Sequence, residues 1–277
     1  MTSFDLPAYL HRVHLPQPEA TDAATLEALQ RAHRLAIPFE NLDVMLGRTI
    51  AIDSDAVFAK LVTARRGGYC FEHNRLFLDA LAALGFTARP QLARVWLGAT
   101  ATPPLTHAIS IVTLDDGEWI ADAGFGGSYT PPMPLVEGAE ATAPDGARFR
   151  LTREGERGWM LWRAGDPATT DGRGGGDGFQ PQYSFVTGPA YDSDLAMGNL
   201  WAATAPGSRF RTTHVVSIVL PKGFASLTDR LYRRRSGNDT TEAEITDPRV
   251  YRLRLSMLYG IDLSPEEVAG LRLFAAG

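Results

Sequence analysis

Arg65-Arg66-Gly67-Gly68-Tyr69-Cys70-Phe71-Glu72-His73-Asn74 holds the only cysteine of this 277-residue chain. Two glycines free the backbone ahead of it. Phe77, Ala80, Leu81 and Leu84 then recur at the spacing of a helix with one apolar face. The pattern predicts that Cys70 stands at a helix N-terminus, where unpaired N–H groups and the positive end of the dipole favour the thiolate, the nucleophilic form of sulfur. A free cysteine is also commonly a small buried hydrophobe, so its partners must decide between the two readings.

The partners lie downstream. Leu105-Thr106-His107-Ala108-Ile109-Ser110-Ile111-Val112 alternates as a strand and places His107, Ile109 and Ile111 on one face. A second strand, Glu118 to Asp122, brings a carboxylate. A cysteine on a helix followed by histidine and aspartate on strands can deprotonate the sulfur, hold the proton, and fix one imidazole tautomer through the acid. The competing reading makes His107 a core residue and Asp122 a turn or cap residue. Register sharpens the question. A two-residue turn at Asp116-Gly117 would set Asp122 opposite Ile111, about 13 Å along the strand from His107 and beyond hydrogen-bond reach. The relay therefore requires a turn centred earlier, near Leu114 and Asp115, or a β-bulge.

These residues resemble the arylamine N-acetyltransferase family in its bacterial form. The resemblance rests on Arg66 to Asn74, on His107 in a Thr-His strand, and on Asp122-Ala123-Gly124-Phe125-Gly126-Gly127. It extends to Ile37-Pro38-Phe39-Glu40-Asn41-Leu42, Gln182-Tyr183-Ser184-Phe185, Asn199-Leu200-Trp201 and Ser208-Arg209-Phe210, spanning about residues 30–210. The cysteine motif together with the Asp-Ala-Gly-Phe-Gly-Gly motif is a specific signal. The resemblance implies Cys70 as acyl-accepting nucleophile, His107 as general base and acid, and Asp122 as the residue that orients it. It implies acetyl-coenzyme A or a close thioester as co-substrate, with no metal and no tightly bound prosthetic group.

The implied fold is α+β: an N-terminal helical bundle (1–85), a central antiparallel β-barrel (86–190) and a C-terminal α/β lid (191–277), with a core like that of papain-type cysteine proteases. Periodicity alone supports mixed α and β. Helical signals dominate to about residue 85, with Leu26, Leu29, His33 and Ala36 following a Thr21-Asp22 start. Alternating runs follow at 88–96, 106–114, 118–122, 148–152 and 159–163. Later come a strand over Val215 to Leu220, further strand signal over Ala225 to Tyr232, helical signal over Val250 to Tyr259, and a closing helix announced by Ser264-Pro265-Glu266-Glu267. The glycine-rich stretch Ala164 to Gly178 reads as a mobile surface loop, and Arg233-Arg234-Arg235 as a solvated turn or local anion contact.

Beside Asp122, the backbone N–H groups of Gly126 and Gly127 and the Ser128 hydroxyl are expected to form an anion nest for the coenzyme pyrophosphate, with Thr106 and Trp96 also assigned to coenzyme A. The resemblance also implies Phe39, Val95, Phe125 and Phe210 around the aromatic acceptor, where ring contacts suit such a substrate. Glu40 and Arg66 are expected to pair and not to react. The predicted chemistry is double displacement: Cys70 takes an acyl group from the thioester and delivers it to an arylamine, arylhydrazine or arylhydroxylamine. The alternatives are an amide synthase closing a macrocycle, a cysteine hydrolase or transglutaminase-like enzyme, and a non-catalytic binder of aromatic ligands.

Composition bounds these readings without choosing among them. With 44% hydrophobic residues the chain can build a substantial core. The first residues lack a basic and apolar leader pattern, one cysteine forbids an internal disulfide, and no apolar run spans a bilayer, so a cytoplasmic enzyme is expected. A net charge of −5 gives no reason to expect nucleic-acid binding. The oligomeric state is left open, a homodimer included.

Overall fold

The apolar positions of the N-terminal third recur every three or four residues, and helices form there. The computed structural model describes residues 4–170, 173 and 176–274. Helices α1 (Leu6–Val13) and α2 (Ala23–Ala36) come first, and the Asp22 carboxylate accepts from the Thr25 N–H at 2.8 Å to cap α2. A short strand, β1 (Phe39–Glu40), precedes α3 (Leu42–Met45) and α4 (Ser54–Phe58), which runs on as a π-helical turn over Ala59–Thr63. Then comes α5 (Cys70–Ala83), with the cysteine as its first residue. Leu76, Phe77, Ala80 and Leu81 of α5 are fully buried against Tyr9, Leu26 and Leu29. At roughly 1.5–3 kcal/mol for each large side chain, that burial fixes where the helix begins.

An eight-stranded antiparallel sheet follows: β2 (Thr87–Val95), β3 (Leu105–Leu114), β4 (Gly117–Ala121), β5 (Met133–Pro134), β6 (Glu140–Thr142), β7 (Arg148–Arg153), β8 (Trp159–Gly165) and β9 (Gly176–Phe185). Their order is β5-β4-β3-β2-β9-β8-β7-β6, and the sheet curls into a nearly closed barrel around Phe149, Leu151, Leu161 and Tyr183. Helices α6 (Asp192–Thr204) and α7 (Arg209–Thr212) lead to β10 (Val215–Leu220), β11 (Gly223–Thr228), β12 (Leu231–Ser236) and β13 (Asp239–Glu244). The chain closes with α8 (Pro248–Arg254), a π-helical turn over Leu255–Tyr259, and α9 (Pro265–Gly270), where Ser264 and Glu267 cap each other reciprocally. Strand β1 pairs with β10, so the helical segment contributes the edge of the C-terminal five-stranded sheet. Among the described residues no helix is long and apolar enough to cross a membrane.

Three local expectations are corrected. Arg233, Arg234 and Arg235 lie within β12 and not in a turn, because β12 pairs with β11 on one side and the acidic β13 on the other. The strand signal of 225–232 is two strands joined at Asp229-Arg230, where Asp229 takes a left-handed φ of 51°. Much of the glycine-rich stretch is regular: β8 extends to Gly165, Pro167–Thr169 form a 3-10 turn, and β9 begins at Gly176. Pairing between β8 and β9 satisfies backbone groups that the low-complexity sequence could not. Residues 171, 172, 174 and 175 of that stretch lie outside the described residues.

The β3–β4 connection decides the site. Leu114 pairs with Gly117 and Ser110 with Ala121, so the loop residues are Asp115 and Asp116, one position earlier than an Asp116-Gly117 turn. Continued by one residue, this register sets Asp122 opposite Ile109, on the same side as His107 and two residues from it. A bulge is present as well: Ala93 pairs with His107 and Arg94 with Leu105, leaving Thr106 as the extra residue immediately before the histidine.

Candidate active site

Cys70 occupies the first turn of α5, and what positions it is a set of buried polar groups upstream. The Glu72 carboxylate accepts from the Tyr69 N–H at 3.0 Å and from Lys60 at 2.7 Å. Lys60 also reaches Asp43 at 2.8 Å, while Arg66 joins Glu40 at 2.7 Å and Asp43 at 3.3 Å. Burial pushes Glu72 up to about 7 against the opposing charge of Lys60. Glu40 and Arg66 pair as expected. Gly67 could be no other residue without displacement, since a Cβ there would stand 2.2 Å from the Pro38 carbonyl.

The Cys70 sulfur donates to the Thr106 carbonyl at 3.6 Å. His107 Nε2 meets Asp122 Oδ2 at 2.7 Å, which leaves Nδ1 as the ring nitrogen available to sulfur. Burial would lower the imidazole, but the Asp122 charge and hydrogen bond, joined by the hydrogen bond and charge of Cys70, outweigh it and push His107 up to about 10. Asp122 is held below the usual carboxylate range: burial opposes this, and His107, the Gly124 N–H and Asn74 prevail. Both residues are almost fully buried, so little solvent screens the pair.

Asp122 is held at both ends by helices. Its Oδ1 accepts from the Gly124 N–H at 2.9 Å and from Asn74 at 3.2 Å, and its own N–H donates to Gln30 Oε1 at 2.7 Å. Asn74 also donates to the Ala108 carbonyl at 2.6 Å and accepts from the Ala123 N–H at 3.1 Å, bridging α5, β3 and the acid loop. Arg34 donates to the Gly127 carbonyl at 2.7 Å. Gln30 and Arg34 were not singled out from sequence, since on a helix they read as solvated polar residues. Asn74 stood in the quoted motif without a role.

The aromatic residues form two groups of ring contacts. Phe125 packs edge-on against the His107 ring at 5.2 Å and against Tyr183 at 5.1 Å, and Tyr183 lies 5.1 Å from the same imidazole. Phe39 meets Phe210 at 5.9 Å, and Phe210 meets Tyr69 at 5.3 Å. Val95 pairs across the sheet with Tyr183. Tyr69 and Tyr183, both fully buried, pack against these rings.

The residues expected to hold the coenzyme separate into two places. Trp96 and Thr106 line a cleft of about 940 Å³. Gly127 and Ser128 border a separate small gap of about 10 Å³, lined also by Phe125, room for about one water molecule. The Ser128 hydroxyl accepts from the buried Arg163 at 2.9 Å, and the Gly126 carbonyl accepts from Ser217 at 2.8 Å. Gly126 has a φ of 79°, and a Cβ there would stand 2.9 Å from the Phe39 ring. Among the described residues no group of three or more His, Cys, Asp or Glu is arranged to hold a metal.

A family model described as N-acetyltransferase matches residues 22–268 of the chain. The chain belongs to the arylamine N-acetyltransferase family. It is 38% identical over 269 residues to an arylamine N-acetyltransferase / N-hydroxyarylamine O-acetyltransferase of Salmonella typhimurium, covering 95% of this chain and 91% of that protein. It is 41% identical over 217 residues to an arylamine N-acetyltransferase of Escherichia coli, covering 78% and 73%. The solved Salmonella arylamine N-acetyltransferase superposes with a TM-score of 0.88, covering 98% of each chain at 35% identity. A Mycobacterium marinum arylamine N-acetyltransferase in complex with CoA gives 0.86 at 28% identity, covering 96% and 98%. In this chain Cys70 stands at the start of α5, His107 on β3 and Asp122 immediately after β4.

Proposed function

We propose that the protein transfers an acetyl group from acetyl-coenzyme A to an aromatic amine, hydrazine or hydroxylamine through an acyl-Cys70 intermediate. The observation that carries the reading is the 2.7 Å contact of His107 with Asp122, with the remaining ring nitrogen left to the Cys70 sulfur. Cys70 attacks the thioester carbonyl, and backbone N–H groups at the start of α5 are available to the tetrahedral oxyanion. Collapse of that intermediate expels the coenzyme A thiolate. The departing sulfur takes up the proton that the imidazole received from the Cys70 thiol. His107, neutral once that proton has left, is able to accept the proton of the incoming amine nitrogen.

Aromatic amines suit this step because their weakly basic nitrogen keeps its lone pair at neutral pH. Phe39, Phe125 and Phe210 are the rings proposed to meet such acceptors, with the buried Tyr69 and Tyr183 packed behind Phe210 and Phe125. Coenzyme A enters along the cleft that ends at Thr106, whose carbonyl touches the sulfur. The test is intact-protein mass spectrometry after mixing with acetyl-coenzyme A. An acetyl adduct that maps to Cys70 and discharges on adding an aromatic amine is expected. An adduct on another residue, or an adduct that water clears as fast as the amine does, refutes the reading.

A further inference from the structure

The thioester end of the donor must lie at the inner end of the cleft, beside Thr106 and Cys70, so the pantetheine arm leads outward and its phosphates come to rest near the mouth. Two cations line this cleft, Arg94 and Arg157. Arg94 is engaged, donating from a terminal guanidinium nitrogen to the Pro103 carbonyl at 2.6 Å. Arg157 stands on the 3-10 turn Gly155–Arg157 with its guanidinium carbon 4.4 Å from the centre of the Trp96 ring. Its guanidinium makes no hydrogen bond or ion pair with a described residue. The ring beneath it is itself fixed, because Trp96 Nε1 donates to the Ser184 hydroxyl of β9 at 2.8 Å. Stacking on a fixed indole orients the guanidinium and leaves its N–H donors free.

Acids on the same lining form no ion pair with this group. Glu154 accepts from the Thr152 hydroxyl at 2.7 Å, Asp194 caps α6 by accepting from the Tyr191 N–H at 2.9 Å, and Glu156 is exposed on the turn. Beside Gly127, the Ser128 hydroxyl is already engaged by the buried Arg163 at 2.9 Å. We infer that Arg157, held over Trp96, binds a phosphate of the coenzyme A donor at the mouth of the cleft. This rests on the acetyl-transfer reading above and adds to it the residue that recognises the charged end of the donor.

The experiment compares acetyl-coenzyme A with S-acetylpantetheine, which carries the same thioester and no phosphate, in the wild-type protein and in Arg157→Gln and Arg157→Lys. For Arg157→Gln, KM for acetyl-coenzyme A is expected to rise roughly tenfold, the scale of one charge-assisted phosphate contact, with kcat little changed. KM for S-acetylpantetheine stays where it is. Arg157→Lys keeps the charge and recovers part of the loss. Calorimetric titration with free coenzyme A weakens by the same factor, and thermal unfolding of this exposed-site variant is unchanged. Equal shifts for both donors, or no shift for either, overturn the proposal. A wild-type protein inert toward both donors overturns the acetyl-transfer reading and this inference with it.

Discussion

Asp122→Asn removes one charge from the site while leaving its scaffold in place. The retained oxygen still accepts from Asn74 and from the Gly124 N–H, and the backbone N–H still reaches Gln30, so the fold is expected to hold. His107 is pushed up to about 10 from an ordinary 6.5 because the Asp122 charge outweighs burial. That rise corresponds to roughly 5 kcal/mol of preference for the imidazolium. Without the charge, burial acts almost alone and the imidazole drops below its ordinary value. The new amide N–H also faces Nε2 and drives the ring proton to Nδ1, the nitrogen that must accept from sulfur. Both effects disable the base, and acylation of Cys70 by acetyl-coenzyme A is expected to slow by about 10³–10⁴-fold. Rapid-quench mass spectrometry of the acetyl adduct measures this directly, with unfolding followed in parallel. A variant that folds normally and acylates within about tenfold of the wild type would refute the electrostatic role assigned to Asp122.

Asn74→Ala leaves the Ala123 N–H, the Ala108 carbonyl and one Asp122 oxygen short of a partner. At about 1–3 kcal/mol for each buried group left unsatisfied, denaturant unfolding is expected to show a loss of about 2–4 kcal/mol, together with slower acylation. Arg66→Met strands the buried Glu40 carboxylate and is expected to cost about 3–5 kcal/mol. Adding Glu40→Gln should recover much of that loss, and a double mutant as unstable as the sum of the singles would contradict the pairing. The His107–Asp122 pair also sets a pH dependence. His107 is raised from 6.5 to about 10, so its contribution to stability is full below pH 6.5 and is lost as pH climbs through 10. Asp122 is held below 3.8, so its contribution is present above 3.8 and fades as pH falls through the folded value. Thermal unfolding of the wild type should therefore weaken more steeply than that of Asp122→Asn between pH 6.5 and 10.

Local chemistry was legible wherever neighbours in the chain settle it. The start of α5 follows from Gly67-Gly68 and the spacing of Phe77, Ala80 and Leu81; the cap of α9 follows from Ser264 and Glu267. The strands of the barrel announced themselves by alternation, within a residue or two at each end for β2, β3, β4 and β7. Strand β13 did not, because every residue of Asp239–Glu244 is exposed and all but Ala243 are polar. It exists through pairing with the arginines of β12, with Arg233 joining Glu242 at 2.8 Å. The glycine-rich approach to β9 was illegible for the same reason.

Sequence by itself determined which atoms could react: one sulfur at a helix start, an imidazole on a buried strand and a carboxylate beyond the next turn. Only the tertiary structure decided that they meet. A shift of the β3–β4 turn by a single residue changes the offset between His107 and Asp122 by two residues, and such a shift costs little in local propensity. The choice between registers is made by contacts from distant helices, where Gln30 and Asn74 hold the acid loop against β3. Those contacts join residues as many as 92 positions apart, so no local pattern can announce them.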